Sequence, residues 1–215
     1  MPAHPFSNVN LQFKKPNIVL QELKKKYNCS RIYSIREKLG GAKDKGDREL
    51  FYGSLFAEIL NKISKHKYLI RMPEKDEECD VELIDHSEWQ NNQKLPKNQR
   101  KADHFLLQNV QITEHVVVNE LRRGNNNIYE IFKQHLNRTK LSPKAGDYAG
   151  CILVFYLNLK INEKIGLREL RSMVRECNQD KFQQIWVVIP NVEKYGVAEL
   201  CRSEEQFMIA DFLNN

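Results

Sequence analysis

Lys97, Arg100 and Lys101 stand close together in the hydrophilic stretch Lys94-Leu-Pro-Lys-Asn-Gln-Arg-Lys101, where their side chains would suit contacts to phosphate oxygens. Further positive clusters occur at Lys14 and Lys15, at Lys24 to Lys26, and at Lys62, Lys65 and Lys67. An acidic counterweight, Glu74-Lys-Asp-Glu-Glu-Cys-Asp80, lies between them. Such blocks form a phosphate-binding face where they converge in space and an ordinary solvated surface where they do not. Trp89, next to the polar stretch, has the ring needed to stack on a base, whereas Trp186 sits in an apolar run and reads as packing.

Several other chemistries are excluded by spacing. The five cysteines, Cys29, Cys79, Cys151, Cys177 and Cys201, are odd in number and never form a C-x-x-C pair, so neither a disulfide framework nor a thiolate zinc site is expected. The six histidines are dispersed and lack H-x-x-x-H spacing, which leaves no zincin motif and no structural zinc. Gly40-Gly41 opens no G-x-x-x-x-G-K-[ST] phosphate loop, and there is no G-x-S-x-G elbow.

These residues must be positioned by a fold that the composition permits. The chain has 215 residues, a formal net charge of +6, 41% hydrophobic and 29% charged residues, which supports a packed core and excludes a mainly disordered or collagen-like chain. Its longest apolar runs, Cys151 to Leu157 and Ile185 to Ile189, fall far short of the ~20 residues of a membrane-spanning helix. Met1-Pro-Ala-His-Pro-Phe-Ser7 has no basic region leading into an apolar stretch, so no secretory signal is read and the cytoplasm is the expected location. Membrane association is not expected.

Along the chain, residues 1 to 15 read as an extended arm. Ile18, Val19, Leu20, Leu23 and Tyr27 recur at helical spacing after Pro16, with Asn17 as the expected cap. A second helix is expected from Ser30 to Leu39, closed by Gly40-Gly41. The pair reads either as a helical hairpin covering the core or as part of a helix-turn-helix. A stronger helix follows from Asp47 to about Ser64, then strands at Tyr68 to Met72 and Cys79 to Ile84, then a loop from Asp85 to Ala102. His104 to Leu107 and Val110 to Val118 are strand-like, with Gln108-Asn109 either a tight turn or the middle of one long strand. Residues Asn119 to Leu136 read as helix interrupted around Gly124 to Asn127. The last third reads as strand, helix and strand over Cys151 to Leu157, Leu167 to Cys177 and Phe182 to Ile189, a βαβ unit with parallel strands. A short strand over 195 to 201 and a closing helix over Glu204 to Leu213 complete the expectation. The expected organisation is an N-terminal arm and helical extension over residues 1 to 46, followed by an α/β domain over 47 to 215.

With Asp80 opening one strand and Gln111-Ile-Thr113 on a later one, this element order resembles the core of the PD-(D/E)XK nuclease superfamily over roughly residues 47 to 190. The resemblance implies a restriction-endonuclease-like mixed sheet flanked by helices. It also implies a site in which an Asp on one strand and an acid on the next hold a divalent cation while a nearby Lys positions or activates water. On this resemblance Asp80 corresponds to the first Asp, with Cys79 in place of the usual proline and Asp103 as a rival. Gln111 and Thr113 occupy the E-x-K positions, Glu58 or Glu49 is the acid of the first helix, and Lys133 is the candidate for a migrated cation. Asp80, Gln111 and Glu58 are then the expected metal ligands, and Mg2+, or Mn2+, the expected cofactor. A Gln oxygen ligates a hard cation without neutralising it, and Thr supplies no charge, so the resemblance is to a divergent member.

Read as local chemistry alone, Asp80 is a solvent-facing strand residue, Gln111 and Thr113 are cross-strand polar partners, and Asp103 forms a surface ion pair. The expected function is metal-dependent hydrolysis of DNA phosphodiester bonds. The alternative is a noncatalytic nucleic-acid-binding or protein-interaction module on a degenerate nuclease fold. DNA is the expected partner, with RNA open, and double-strand cutting would call for a homodimer.

Overall fold

The computed structural model describes residues 13–39, 44–73, 79–94, 104–124, 127–141, 148, 150–159, 166–176, 181–190, 194–200 and 208–211. They fall into two compact units, one running up to Leu107 and the other from Gln108 onward.

The first unit begins with helix α1 (Pro16–Lys26), which Pro16 opens because its missing N–H would have no partner in a first turn. Lys15, not Asn17, occupies the cap position, and no side chain caps this end. Lys24, Lys25 and Lys26 crowd the last turn, where cations complement the helix dipole. The expected single helix over 30 to 39 is a 3-10 turn, Ile32–Ser34, running into a four-residue helix α2 (Ile35–Lys38). Helix α3 (Lys45–Ile63) presents Phe51, Leu55 and Ile59 to the core and packs on α1. Tyr27 ties these two helices together by donating its phenol hydrogen to Asp44 and Asp47, while Lys26 pairs with Asp47. Burial, reinforced by the two carboxylates, pushes the Tyr27 phenol well above its ordinary range.

Strands β1 (Tyr68–Arg71), β2 (Val81–Asp85) and β3 (His104–Thr113) form an antiparallel meander in which Tyr68 faces Asp85, Arg71 faces Glu82, and Val81 faces Leu107. Gly53 on α3 is where the helix meets this sheet. A Cβ there would stand 2.9 Å from Val81 Cγ2 and 3.1 Å from Ile70 Cδ1. Gly53→Ala is therefore expected to destabilise by about 1–3 kcal/mol through overpacking, against the roughly 1 kcal/mol that Ala gains in helix propensity. A urea midpoint that rises in this variant would disprove the tight contact.

All five residues of β2 are buried, Glu82 and Asp85 included. The stretch from Asp85 to Ala102, expected as loop, holds helix α4 (His86–Gln93). With only Trp89 apolar in its eight residues, α4 gives no periodic signal.

In the second unit β3 continues unbroken through Gln108 and Asn109, the long-strand option of the two read from sequence. Val116, Val117 and Val118, expected to extend it, lie in helix α5 (Glu114–Arg122). Helix α6 (Ile128–Leu136) starts at Asn127, whose side chain accepts from the Tyr129 and Glu130 N–H groups at 2.9 and 3.4 Å. A π turn over Asn137–Leu141 follows. Strand β4 (Cys151–Asn158), helix α7 (Leu167–Glu176) and strand β5 (Gln184–Pro190) appear as expected, with β4 and β5 parallel and Leu170, Met173 and Val174 forming the buried face of α7. Strands β6 (Lys194–Glu199) and β7 (Met208–Asp211) add antiparallel pairs, so the segment expected as a closing helix contributes a strand. The class is α/β with mixed pairing and flanking helices. Among the described residues no helix is long and apolar enough to cross a membrane.

A buried carboxylate organises one end of α6. Glu120 Oε1 accepts from Arg123 at 2.8 Å and from Arg138 at 3.1 Å. Burial, then the Arg138 guanidinium, holds the nearby His135 imidazole below its ordinary value, with Glu120 pulling the other way. Because the unfolded chain then takes up this proton first, the His135 contribution is complete above about pH 6.5 and is lost as pH falls toward the lowered folded value. His135→Gln is expected to reduce the drop in urea midpoint between about pH 8 and about pH 5, and an unchanged drop would contradict the assignment.

Candidate functional site

The most convergent ionisable group in the first unit is built around the end of β2. The Asp85 carboxylate is almost wholly buried. One of its oxygens accepts from the Ser87 and Glu88 N–H groups at 2.9 and 3.4 Å, capping α4, while the other meets His66 Nδ1. The His86 N–H donates to the Lys67 carbonyl at 2.8 Å, which fixes the segment bearing His66 beside the end of β2. Ligand atoms of His66, Asp85 and Glu88 all lie within 4.8 Å of one another. Tyr68, paired in register with Asp85, has its phenol pushed up by burial and then by the Asp85 and Glu88 charges. One nitrogen and two carboxylates form a donor set of the kind that suits borderline divalent ions. In the present geometry the Asp85 oxygens make a helix cap and a contact to the His66 imidazole. The cap was legible as Asp85-His-Ser-Glu88, an acidic variant of the capping pattern with an acid three residues on. The approach of His66 depends on strand register, which its sequence neighbours do not signal.

The residues expected from the resemblance are distributed over both units. Asp80, immediately before β2, is half-buried, and its N–H donates to the Leu107 carbonyl at 2.8 Å. Glu58 is half-buried on α3. Neither belongs to the His66 group. In the second unit Gln111 and Thr113 are half-buried on β3 and alternate with buried Val110 and Ile112. Lys133, on α6, forms an ion pair with Glu176 of α7 at 2.6 Å. Asp103, Lys97, Arg100 and Lys101 lie outside the described residues.

A second polar cluster, not foreseen from sequence, lies within the second unit. Gln108 is buried in β3 and accepts a hydrogen bond from Lys140 Nζ, which the π turn carries. Lys140 Nζ also stands 5.8 Å from the centre of the Tyr148 ring, and Lys181 Nζ stands 5.9 Å from it. Tyr148 stacks on Phe182 with ring centres 5.3 Å apart and planes 17° from parallel. Gln108, then Lys140 with Tyr148 eight positions on, then Lys181 with Phe182 come from separate stretches of sequence, so no local motif marks the cluster.

No protein-family model, curated protein or solved structure matches this chain.

Proposed function

We propose that this chain is a metal-dependent nuclease that hydrolyses DNA phosphodiester bonds, built on a restriction-endonuclease-like core. The observation that carries this reading is the order of elements. Helix α3 precedes the antiparallel meander β1–β2–β3, and helices α5 and α6 then lead to β4, α7 and a β5 parallel to β4. On this reading Glu58 on α3 and Asp80 at the entry to β2 are the acids that would hold the cation. Both are half-buried carboxylates, a ligand type that suits a hard cation such as Mg2+. A bound Mg2+ would polarise the scissile phosphate and lower the pKa of its water.

The noncatalytic alternative draws on two observations. Gln111-Ile-Thr113 stands where the resemblance has an acid and a lysine, and the Lys133 ammonium is engaged by Glu176. Cleavage of supercoiled, linear, single-stranded and branched DNA, with Mg2+, Mn2+ or EDTA, separates the readings. Metal-dependent cutting that falls at least 100-fold, roughly, in Asp80→Ala is expected, since a metal supplies several kcal/mol of transition-state stabilisation. Gln111→Ala is expected to lower cutting as well. Salt-sensitive binding without cutting would favour the binding module, and neither behaviour would reject both.

A further inference from the structure

We propose that His66, Asp85 and Glu88 form a binding site for a borderline divalent transition ion of the Zn2+ class, with the imidazole Nδ1 and one oxygen of each carboxylate as its ligands. Asp80 and Glu58, on which the nuclease reading rests, are not in this group. Three observations carry it.

The first is convergence. Ligand atoms of the three side chains lie within 4.8 Å of one another, although His66 precedes β1, Asp85 ends β2 and Glu88 stands in the first turn of α4. Bonds of about 2.0–2.2 Å to a tetrahedral ion place ligand atoms roughly 3.4 Å apart. Closing to that spacing asks little of the group, because Glu88 is an exposed side chain that can turn toward the other two. The ligands are 19 and 3 positions apart in sequence, outside any zinc motif, because strand register supplies the first approach and the helix cap the second.

The second is charge. Asp85 is 2% exposed, and the groups that reach its oxygens are the Ser87 and Glu88 N–H groups and the His66 imidazole. Among the described residues no lysine or arginine pairs with Asp85 or Glu88, and Lys67, next to His66, gives its ammonium to the Asn61 carbonyl at 3.0 Å. The buried acid Glu82 of the same strand differs, because Arg71 pairs with it. Two carboxylates, one of them buried, thus meet without a cationic side chain, and buried charges are met by a partner or a metal.

The third is positioning with access. Two backbone N–H groups hold one Asp85 oxygen, and the His86 N–H holds the Lys67 carbonyl beside His66, which are outer contacts of the kind that orient metal ligands. The His66 side chain is 55% exposed and gives an ion its way in. A nitrogen donor favours zinc-like ions over Mg2+, which takes oxygen ligands, and three protein ligands leave a fourth position for water.

The test is titration of the full chain, freed of metal with EDTA, with ZnCl2 by calorimetry and with CoCl2 by visible absorption, since Co2+ reports its own coordination. Zn2+ is expected to bind at one equivalent and to raise the melting temperature as its concentration rises, as a ligand of the native state must. His66→Gln and Glu88→Gln are the test variants, because both side chains are exposed and the Asp85 cap stays in place. Each is expected to weaken Zn2+ binding at least tenfold, roughly, and to abolish the Co2+ bands seen at one equivalent. His86→Gln removes a neighbouring imidazole that faces Gln90 instead, and is expected to change neither readout. Mg2+ in roughly hundredfold excess is expected to leave the Co2+ spectrum unchanged. No saturable binding in the unmodified chain, or binding that survives both test substitutions, would overturn the inference and leave the nuclease reading standing. Displacement of Co2+ by Mg2+ would overturn the class of ion.

Discussion

Arg71→Ala is expected to cost about 3–5 kcal/mol of unfolding free energy, because it removes the guanidinium that pairs with the Glu82 carboxylate inside the first unit. Glu82 is only 1% exposed, and its carboxylate accepts from Arg71 Nε across the β1–β2 pair, where the two residues face each other in register. The Arg71 guanidinium also lies 4.7 Å from the Phe13 ring centre, so truncation removes an aromatic contact as well as a charge. The asymmetry of buried pairs gives the prediction its control. Replacing both partners with apolar residues of similar volume, as in Arg71→Met with Glu82→Met, removes both charges of the pair together and is expected to recover most of the loss. Urea unfolding of the two single variants and the double variant forms the cycle. A loss below about 1 kcal/mol in Arg71→Ala would place the pair among solvent-screened surface bridges and refute its burial.

The largest expected effect in the second unit belongs to Phe132. Its side chain is fully buried on α6 and meets Phe155 of β4 edge to face at 5.9 Å between ring centres, with Tyr129 at 6.4 Å. Tyr129 in turn accepts from the Gly166 N–H at 2.9 Å, just before α7 begins. Phe132→Ala combines lost transfer free energy with a cavity among aromatic neighbours, and about 3–5 kcal/mol of destabilisation is expected. Phe132→Leu retains most of the volume and is expected to cost less than about 1.5 kcal/mol. If the two substitutions shift the urea midpoint equally, volume at this position does not govern the core.

The parts of the fold written in local periodicity were legible, and the parts written in pairing were not. Leu170, Met173 and Val174 announce α7, and the flanking apolar runs announce β4 and β5 as a parallel pair, because each signal is complete within its own segment. Val116-Val117-Val118 looks like strand by β-branching, yet lies in a helix that buries Val117 and Glu120, so tertiary burial overrides a propensity of a few tenths of a kcal/mol per residue. Helix α4 escaped detection because it lacks an apolar face, although the acid at its cap was visible. Side-chain partnerships were less accessible still. Arg71 with Glu82, His66 with Asp85, and Lys133 with Glu176 are joined across 11, 19 and 43 positions of sequence, and only strand register or helix packing brings them together. Glu58 lies on helix α3 as expected, whereas Asp80, read as opening a strand, sits just before β2.

The bridge between Lys14 and Ile70 reaches beyond the arm that makes it. Lys14 and Ile70 exchange both backbone hydrogen bonds, at 2.8 and 2.9 Å, on the side of β1 away from β2. An outer strand with open N–H and C=O groups is a template on which a second chain can add itself, the route by which sheets grow into aggregates. One antiparallel bridge occupies those groups at Ile70, the fully buried position of β1, and Pro16, which has no N–H to give, follows two residues later. The segment entering α1 thus works as a selvedge, finishing the border of the sheet so that the weave stops within one molecule.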